Sequence, residues 1–184
     1  MLRPVRRVVT GHDDRGRSII VSDEVSPHTR ENPLQPGRGL TDLWRTFGSP
    51  PSNEGAADAA ATEVVLSPPA GGSVFRFFQI LPERLQAKMS PEERQRVADA
   101  VFSGMGASHN RDRHARHPGM HTTETLDYII LLSGDVSLLL DEGEVRLKPF
   151  DVVIQRGTNH SWVNHGEEPA LLAGVLIDAV PLNR

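Results

Sequence analysis

The chain has 184 residues, with 20 Lys and Arg against 24 Asp and Glu, and a formal net charge of −4 at pH 7. This balance gives no indication of nucleic acid or a membrane surface as a partner, and the length predicts one domain. The chain has no cysteine, which excludes disulfides, thiolate metal ligands and cysteine nucleophiles and fits a cytoplasmic location. No run approaches the 18 apolar residues that would predict a membrane-spanning segment.

The N-terminal region shows strand signals first and breakers afterwards. Two β-branched runs, 5–10 and 18–22, flank a turn-rich segment and predict a β-hairpin. Residues 23–40 hold three prolines and mixed charge, and we expect them to be irregular. The following segment, 41–47, reads TDLWRTF and fits either one helical turn or a strand.

A linker-like stretch separates this region from the rest. Residues 49–62 are small, polar and proline-rich, which predicts a flexible loop. Two further strands are predicted at 63–67 and 73–80. We therefore divide the chain into an N-terminal extension, 1–62, and a main domain, 63–184.

One helix is clearly signalled, over 91–103. Ser90 and Glu93 form a capping-box pattern, and Pro91 occupies the first helical position. An apolar stripe at helical spacing follows, made of Val97, Val101 and Phe102. We expect this helix to cover an edge of the sheets.

From residue 126 onward the pattern is almost all strand. Short apolar runs are separated by breaks such as SG, DEG and RGTN, most of which contain glycine. Strands at this spacing predict an antiparallel sandwich or a closed barrel. The fold class is therefore all-β.

Two histidine clusters lie where strands begin. His117, His121, Glu124 and Asp127 precede the first long apolar run, and His160 opens a later strand in HSWVN. Two imidazoles and a carboxylate are a ligand set that suits iron(II) and related ions. The alternative is a pair of hydrogen-bonded pocket histidines, with the Asp127 carboxylate bound to the backbone or to a threonine.

The stretch 121–164 resembles the two sequence motifs of the cupin superfamily. The first motif, His-x-His followed by Glu and Gly, is matched in spacing by His121, Thr123, Asp127 and Gly134. The second motif, Gly, then Pro-x-Gly, His and Asn, is matched in spacing by Phe150, Gln155, Gly157, His160 and Asn164. The intervening 135–149 is a spacer of the length found in small bacterial cupins.

The resemblance implies a cupin-type jelly roll with the N-terminal hairpin and residues 63–80 extending its sheets. It also implies a divalent metal, Fe, Mn, Ni or Zn, held by His121, Asp127 and His160. Threonine at 123 and aspartate at 127 replace the usual histidine and glutamate. The further candidate ligands are therefore His117, Thr123 and Glu124.

Three functions follow as expectations. The first is a metal-dependent oxygenase, lyase or isomerase acting on a small organic molecule. The second is a metal-free enzyme in which His121 or His160 transfers a proton with Asp127 as its partner. The third is a non-catalytic ligand-binding barrel. The predicted substrate-pocket residues are Tyr128, Gln155 and Trp162.

Two expectations concern surfaces. Small cupins of this type often pair N-terminal strands, so the resemblance implies a homodimer. The segment 107–117 carries three arginines and three histidines. It fits either a basic lid that attracts an anionic substrate or a solvated loop.

Overall fold

A computed structural model of the chain describes residues 1–182. It contains eleven strands and one α-helix, with two short 3₁₀ helices at Glu83–Gln86 and Ser108–Asn110. The strands are β1 (Arg6–His12), β2 (Ser18–Val25), β3 (Thr29–Asn32), β4 (Gln35–Thr46), β5 (Ser73–Ile80), β6 (Thr125–Ser133), β7 (Val136–Leu140), β8 (Glu144–Leu147), β9 (Val152–Arg156), β10 (His160–Asn164) and β11 (Ala170–Asp178). The helix is α1 (Pro91–Gly104). The all-β prediction is confirmed.

Two antiparallel sheets face each other. The larger has the order β3-β4-β5-β11-β6-β9, and the smaller has the order β10-β7-β8. Strands that are distant in sequence, such as β5 and β11, lie side by side, as in a jelly roll. Apolar side chains from both sheets fill the space between them: Ile80, Ile129, Leu131, Val136, Leu147, Ala170 and Leu172.

The predicted hairpin is confirmed, but its place in the fold differs from the expectation. β1 and β2 form a separate two-stranded sheet and do not extend the large one. The large sheet is extended instead by β3 and β4, in the region expected to be irregular. Gly39 explains how β4 forms there, since a Cβ at this position would lie 2.1 Å from the carbonyl oxygen of Arg30 on β3. Segment 41–47 is therefore mostly strand.

The expected strand at 63–67 is absent from the structure, in which this stretch is irregular. Its carbonyl groups are used by a side chain: Arg76 donates to the oxygens of Val65 and Leu66 at 2.7 and 2.9 Å. The Leu66 N–H donates to the carbonyl of Met105, just beyond α1. The apolar run therefore packs beneath the helix, and its backbone groups are satisfied without a neighbouring strand.

The loop 49–62 is tied to the body at one residue. Arg7 on β1 donates to both carboxylate oxygens of Asp58 at 2.8 and 2.6 Å, and the His28 ring lies 2.8 Å from the same carboxylate. Ala60 is fully buried. The division at residue 62 stays a prediction, and β4 joins the N-terminal region to the large sheet through β5.

The predicted helix is confirmed with its capping box at Ser90 and Glu93. It begins at Pro91 as predicted and ends one residue later than predicted, at Gly104. Phe102 and Val101 reach into the space between the sheets, so the helix closes a cavity. It also lies next to β3, the edge strand of the large sheet. No helix within 1–182 is both long enough and apolar enough to cross a membrane.

Candidate active site

A cavity of about 130 Å³ lies between the sheets, under α1. Its wall is mostly apolar, and the aromatic part comes from α1, β5 and β10. The polar or ionisable side chains that line it are Arg38, Arg76, Gln79, His121, Thr123, Asp127, His160 and Ser161. A mostly apolar pocket with a few convergent polar groups is the usual form of a small-molecule site.

His121 and His160 form the centre of this cavity. The N–H of each donates to the carbonyl of the other, at 3.0 and 2.9 Å, so the segment at His121 pairs with the edge strand β10. Their ring centroids are 4.3 Å apart. Phe102 packs on the His121 ring at 4.9 Å, and Trp162 meets the His160 ring edge-on at 5.7 Å. The two predicted histidines are therefore brought together.

The tautomer of both rings follows from their hydrogen bonds. Nδ1 of His121 lies 2.9 Å from the carbonyl oxygen of Gly119, and Nδ1 of His160 lies 2.9 Å from that of Thr158. A carbonyl oxygen only accepts, so each Nδ1 carries the proton and each neutral ring keeps its lone pair on Nε2.

Burial keeps both rings neutral. It lowers the pKa of His121, and the nearby charge of Arg38 adds to this effect. Burial, and then the neighbouring His121, lowers the pKa of His160 to about 3. The pair thus offers two acceptor nitrogens and carries no positive charge near neutral pH.

Asp127 lines the same cavity and is almost inaccessible, with 3% of its surface exposed. Its Oδ1 is buried without a hydrogen-bond partner. Burial raises the pKa of Asp127 to about 6, although the Thr125 hydroxyl and the Arg76 guanidinium partly oppose the shift. A carboxyl group with such a pKa exchanges its proton near neutral pH, which is a property of acid–base catalysts.

The three further candidate ligands lie in different surroundings. Thr123 is buried at the cavity wall and accepts a hydrogen bond from the Thr125 hydroxyl at 2.7 Å. His117 uses Nδ1 to accept from the Ser161 hydroxyl at 2.8 Å. Glu124 is exposed and is not part of the cavity wall.

Only one of the three predicted pocket residues lines the cavity. Trp162 lines the cavity. Tyr128 does not: it is 45% exposed on the outer face of β6, because Asp127 and Ile129 on either side of it point inward. Gln155 is buried outside the cavity wall, where its amide donates to the carbonyl oxygen of Thr158 at 3.1 Å. It therefore supports the turn that leads into β10.

Sequence reasoning missed the cationic and amide groups that β4 and β5 contribute. Arg38 lies on β4, which was expected to be irregular, whereas Arg76 and Gln79 lie on β5. One signal was available: Arg76 interrupts the apolar run SVFRFFQI. Its burial at 1% exposure is made possible by Asp42, whose Oδ1 lies 2.9 Å from the Arg76 Nε.

The arginines of 107–117 are tied to the body. Arg111 is buried and donates to the Asp99 carboxylate on α1, and Arg113 reaches the same carboxylate at 2.8 Å. Arg116 donates to a backbone carbonyl of the β7–β8 turn. The segment thus differs from both expectations at Arg111, which is neither solvated nor turned toward the cavity.

The donors of the predicted metal site do not converge on one point. A facial metal centre needs two histidines and a carboxylate at one point. Across residues 1–182, no group of three or more His, Cys, Asp or Glu side chains is placed to hold a metal. His121 and His160 supply two imidazoles, and Asp127 does not complete the set. The residues do not fit a three-ligand centre, so the divalent metal stays a prediction.

Comparison with known proteins gives matches of two kinds. Phomopsin biosynthesis cluster protein C' of Diaporthe leptostromiformis is 45% identical over 65 residues, which span 34% of each chain. Cupin-domain-containing oxidoreductase fogC of Aspergillus ruber is 28% identical over 185 residues, which span 96% of this chain and 74% of that protein. The match with protein C' thus covers about a third of that relative.

Among solved structures, the Cnp3 cupin domain of Schizosaccharomyces pombe aligns with 94% of this chain and 87% of its own, at 10% identity and a TM-score of 0.44. No family model matches the sequence. The two facing antiparallel sheets, the histidines at the strand ends and the cupin-domain relative together show that this chain has a cupin fold.

Proposed function

We propose that this chain is a cupin-type enzyme that binds a small organic molecule in the barrel and transfers a proton on it. Asp127 is the group that gives or takes the proton. His121 and His160 hold the reacting group of the substrate through Nε2. The sequence also predicted a metal-free enzyme, but with the roles exchanged: a histidine was expected to transfer the proton, and Asp127 was expected to be its partner.

The observation that carries the proposal is the fixed tautomer of the histidine pair. Each Nδ1 is bound to a carbonyl of its own segment, which leaves two Nε2 lone pairs on adjacent rings. A hydroxyl or enol of a substrate donates to such nitrogens without competition from an imidazole proton. The pair therefore orients a donor group in the cavity that Asp127 also lines.

Asp127 supports the proposal through its protonation. With a pKa of about 6 it is present in both forms near neutral pH, so it can accept a proton from one atom and return it to another. Its Oδ1 has no hydrogen-bond partner among the described residues, so no protein donor competes for that oxygen. The mostly apolar wall disfavours water beside the reacting group.

The relatives support catalysis as a class of function. fogC is named an oxidoreductase, and so is virC of Hypocrea virens, which is 39% identical over 67 residues. Removal of a proton from carbon or oxygen is also a step of many oxidations, so proton transfer is compatible with those names.

Hydrogen–deuterium exchange at carbon tests the proposal. Hydroxyacetone, acetoin and 2-hydroxyacetophenone, which carry a hydroxyl donor beside the carbonyl, are incubated in D₂O with chelator-treated protein, and NMR follows deuterium incorporation beside the carbonyl. We expect exchange above the buffer rate for at least one ketone. General acid–base groups contribute about 10²–10⁴-fold, so Asp127→Asn should slow that exchange at least about tenfold. Asp14→Asn, in an exposed turn, is the matched control.

The other two functions are distinct outcomes of the same experiment. Exchange that disappears on chelation and returns with Fe, Mn, Ni or Zn would replace the proposal with the metal-dependent enzyme. Binding of the ketones without exchange would indicate the non-catalytic barrel. Unchanged exchange in Asp127→Asn would contradict the role of Asp127.

The homodimer and the cytoplasmic location stay predictions. The β1–β2 hairpin would supply the dimer contact, since five apolar side chains on it are 42–64% exposed: Val8, Ile19, Ile20, Val21 and Val25. Light scattering of the intact chain and of Ile20→Glu measures the mass directly. We expect a dimer that the substitution dissociates.

A further inference from the structure

Arg38 brings a positive charge into the wall of the cavity. We propose that its guanidinium binds a carboxylate group of the substrate, and that the site selects small monocarboxylates with an apolar body. This inference rests on the proposed function, because it names the substrate class of the same cavity. It adds a residue and a ligand chemistry that the cupin motifs do not include.

The contacts of Arg38 leave its charge uncompensated. Its Nη1 donates to the Gln35 side-chain oxygen at 3.1 Å, and Gln35 is neutral. Over residues 1–182 the structure gives Arg38 no ion pair. The acidic residue whose charge it senses most, Glu83, already pairs with Arg94 at 3.5 Å and with His117 at 3.7 Å.

The surroundings of Arg38 disfavour leaving that charge alone. The residue is half-buried, and burial lowers the pKa of its guanidinium. A desolvated guanidinium gains most from a carboxylate, which accepts two parallel N–H bonds in the planar geometry of the fork. A ligand carboxylate would supply the negative charge that Arg38 does not receive from the described side chains.

The backbone that carries Arg38 is fixed in place. The Gln79 side chain donates to the Gly37 carbonyl at 2.6 Å, and Gly39 pairs with Gln79 across β4 and β5. The same Gln79 side chain accepts from the Arg3 N–H at 3.0 Å. The segment around Arg38 is therefore held before a ligand arrives, which reduces the ordering cost of binding.

The remaining charges of the cavity leave Arg38 as its net charge. Asp42 is shared by two arginines, with Arg45 Nη2 at 2.7 Å and Arg76 Nε at 2.9 Å. Ionised Asp127 offsets the one positive charge in excess in this cluster, and His121 and His160 are neutral. The guanidinium of Arg38 is therefore the charge that attracts an anionic group.

The apolar part of the wall determines which kind of ligand fits next to the carboxylate. The wall is apolar on several sides and has no further unpaired arginine; its apolar residues include Leu40, Phe78, Val101, Ile129, Trp162 and Leu176. A second carboxylate or a phosphate would be desolvated there without a partner. One carboxylate joined to an aliphatic or aromatic body matches both parts of the cavity.

Isothermal titration calorimetry with 3-phenylpropionate and its amide, 3-phenylpropanamide, tests the inference on the intact chain. The two probes share shape and body and differ in charge. The amide lacks the charge and the second acceptor oxygen, so wild type should bind the carboxylate at least about tenfold more tightly than the amide. Arg38→Gln should remove this preference and leave amide binding within about twofold, since the apolar wall is unchanged.

Two variants serve as controls. Arg96→Gln makes the same change on an exposed face of α1 and should keep the preference. Arg38→Lys keeps the charge without the fork and should retain part of it. Circular dichroism of each variant verifies folding.

The inference is overturned if wild type does not distinguish the probes, if neither binds, or if folded Arg38→Gln keeps the preference. These outcomes are separable from failure of the proposed function, because binding is measured without turnover. A carboxylate preference that depends on Arg38, with no deuterium exchange on any ketone, would sustain the inference and reject the enzyme.

Discussion

His121 and His160 exchange backbone hydrogen bonds at 3.0 and 2.9 Å, and their ring centroids lie 4.3 Å apart with the planes tilted by 43°. The backbone pairing fixes the distance between the rings, and the Nδ1 bonds fix their orientation. The histidine pair thus lies at the edge of the small sheet, and strand pairing determines its geometry.

The neutral state of His160 is the first prediction. Burial, then His121, lowers its pKa to about 3 in the folded protein, against an ordinary value of 6.5. We expect its ring to keep the Nδ1–H tautomer without titrating from pH 8 to pH 5. Nitrogen-15 correlation spectra of the imidazole measure this directly, with the exposed His114 as internal reference. A titration of His160 within that range would contradict the buried, neutral pair.

The lowered pKa of His160 also makes the free energy of unfolding depend on pH. A histidine whose pKa is lowered by folding binds its proton more readily in the unfolded chain, so protonation favours unfolding. The free energy of unfolding is unaffected by this histidine above pH 6.5, and it decreases as the pH falls from 6.5 toward 3. His160→Gln should therefore reduce the acid sensitivity of the free energy of unfolding between these limits.

The parts of the fold that are encoded locally were predictable. The capping box at Ser90 and Glu93 defines the start of α1 through contacts three residues apart. The strands after residue 126 follow from alternation and glycine turns. The motif spacing also identified His121 and His160, because it reflects strand length and register in this fold.

The rest depends on neighbours that are distant in sequence. The first part of β4 was missed because residues 23–40 hold three prolines and mixed charge, yet Gly39 is what allows the close approach of β3. Arg38 enters the cavity only through that strand. The run 63–67 looked like a strand from its β-branched residues, but Arg76 takes its carbonyl groups. Pattern alone does not reveal such partners.

Phe150 predicts a stabilising substitution. It occupies the position of the first glycine in the second cupin motif and has a φ of 76°, where a Cβ is strained. The side chain is 77% exposed, so little burial is lost on removing it. A left-handed conformation costs an L-residue about 1–2 kcal/mol, and the greater freedom of glycine in the unfolded chain offsets part of this.

We therefore expect Phe150→Gly to raise the free energy of unfolding by up to about 1 kcal/mol in urea titration. Phe47→Gly is the matched control, because Phe47 is 60% exposed and has no positive φ. That control should not be stabilised. A loss of stability in Phe150→Gly would show that the phenyl ring makes a contact worth more than the strain.

Asp58 predicts an acid-sensitive anchor for the loop 49–62. The Arg7 guanidinium holds the pKa of Asp58 well below its usual range, and His28 adds to the effect. Arg7 is 7% exposed, so the Asp58 carboxylate compensates a guanidinium charge that has little contact with water. Hydrogen bonds to charged groups contribute about 1.5–3 kcal/mol, and Asp58→Asn should lower the free energy of unfolding by a similar amount near pH 7.

The pH dependence separates this anchor from a generic loop contact. A carboxylate with a lowered pKa stabilises the fold above the unfolded pKa, 3.8, and loses this effect as the pH falls through the folded pKa. The difference between wild type and Asp58→Asn should therefore shrink below pH 4. Asp14→Asn serves as the exposed control. An equal difference at pH 7 and pH 3 would reject the ion pair.

Thr123→His gives the decisive test of the predicted metal. Thr123 lines the cavity with His121 and His160, at the position where the cupin motif has its second histidine. A third imidazole would bring the donor set to the number that a divalent ion needs. We expect wild type to bind little metal after growth with Fe, Mn, Ni and Zn, and Thr123→His to bind about one ion per chain by elemental analysis.

The control is Glu124→His, which adds an imidazole at the residue after Thr123. Glu124 is exposed and outside the cavity wall, so its variant should bind no more metal than wild type. Equal uptake by both variants would mean that the added histidine acts alone, without the pair. One ion per chain in wild type, lost in His121→Ala and in His160→Ala, would instead show that the native pair already holds a metal.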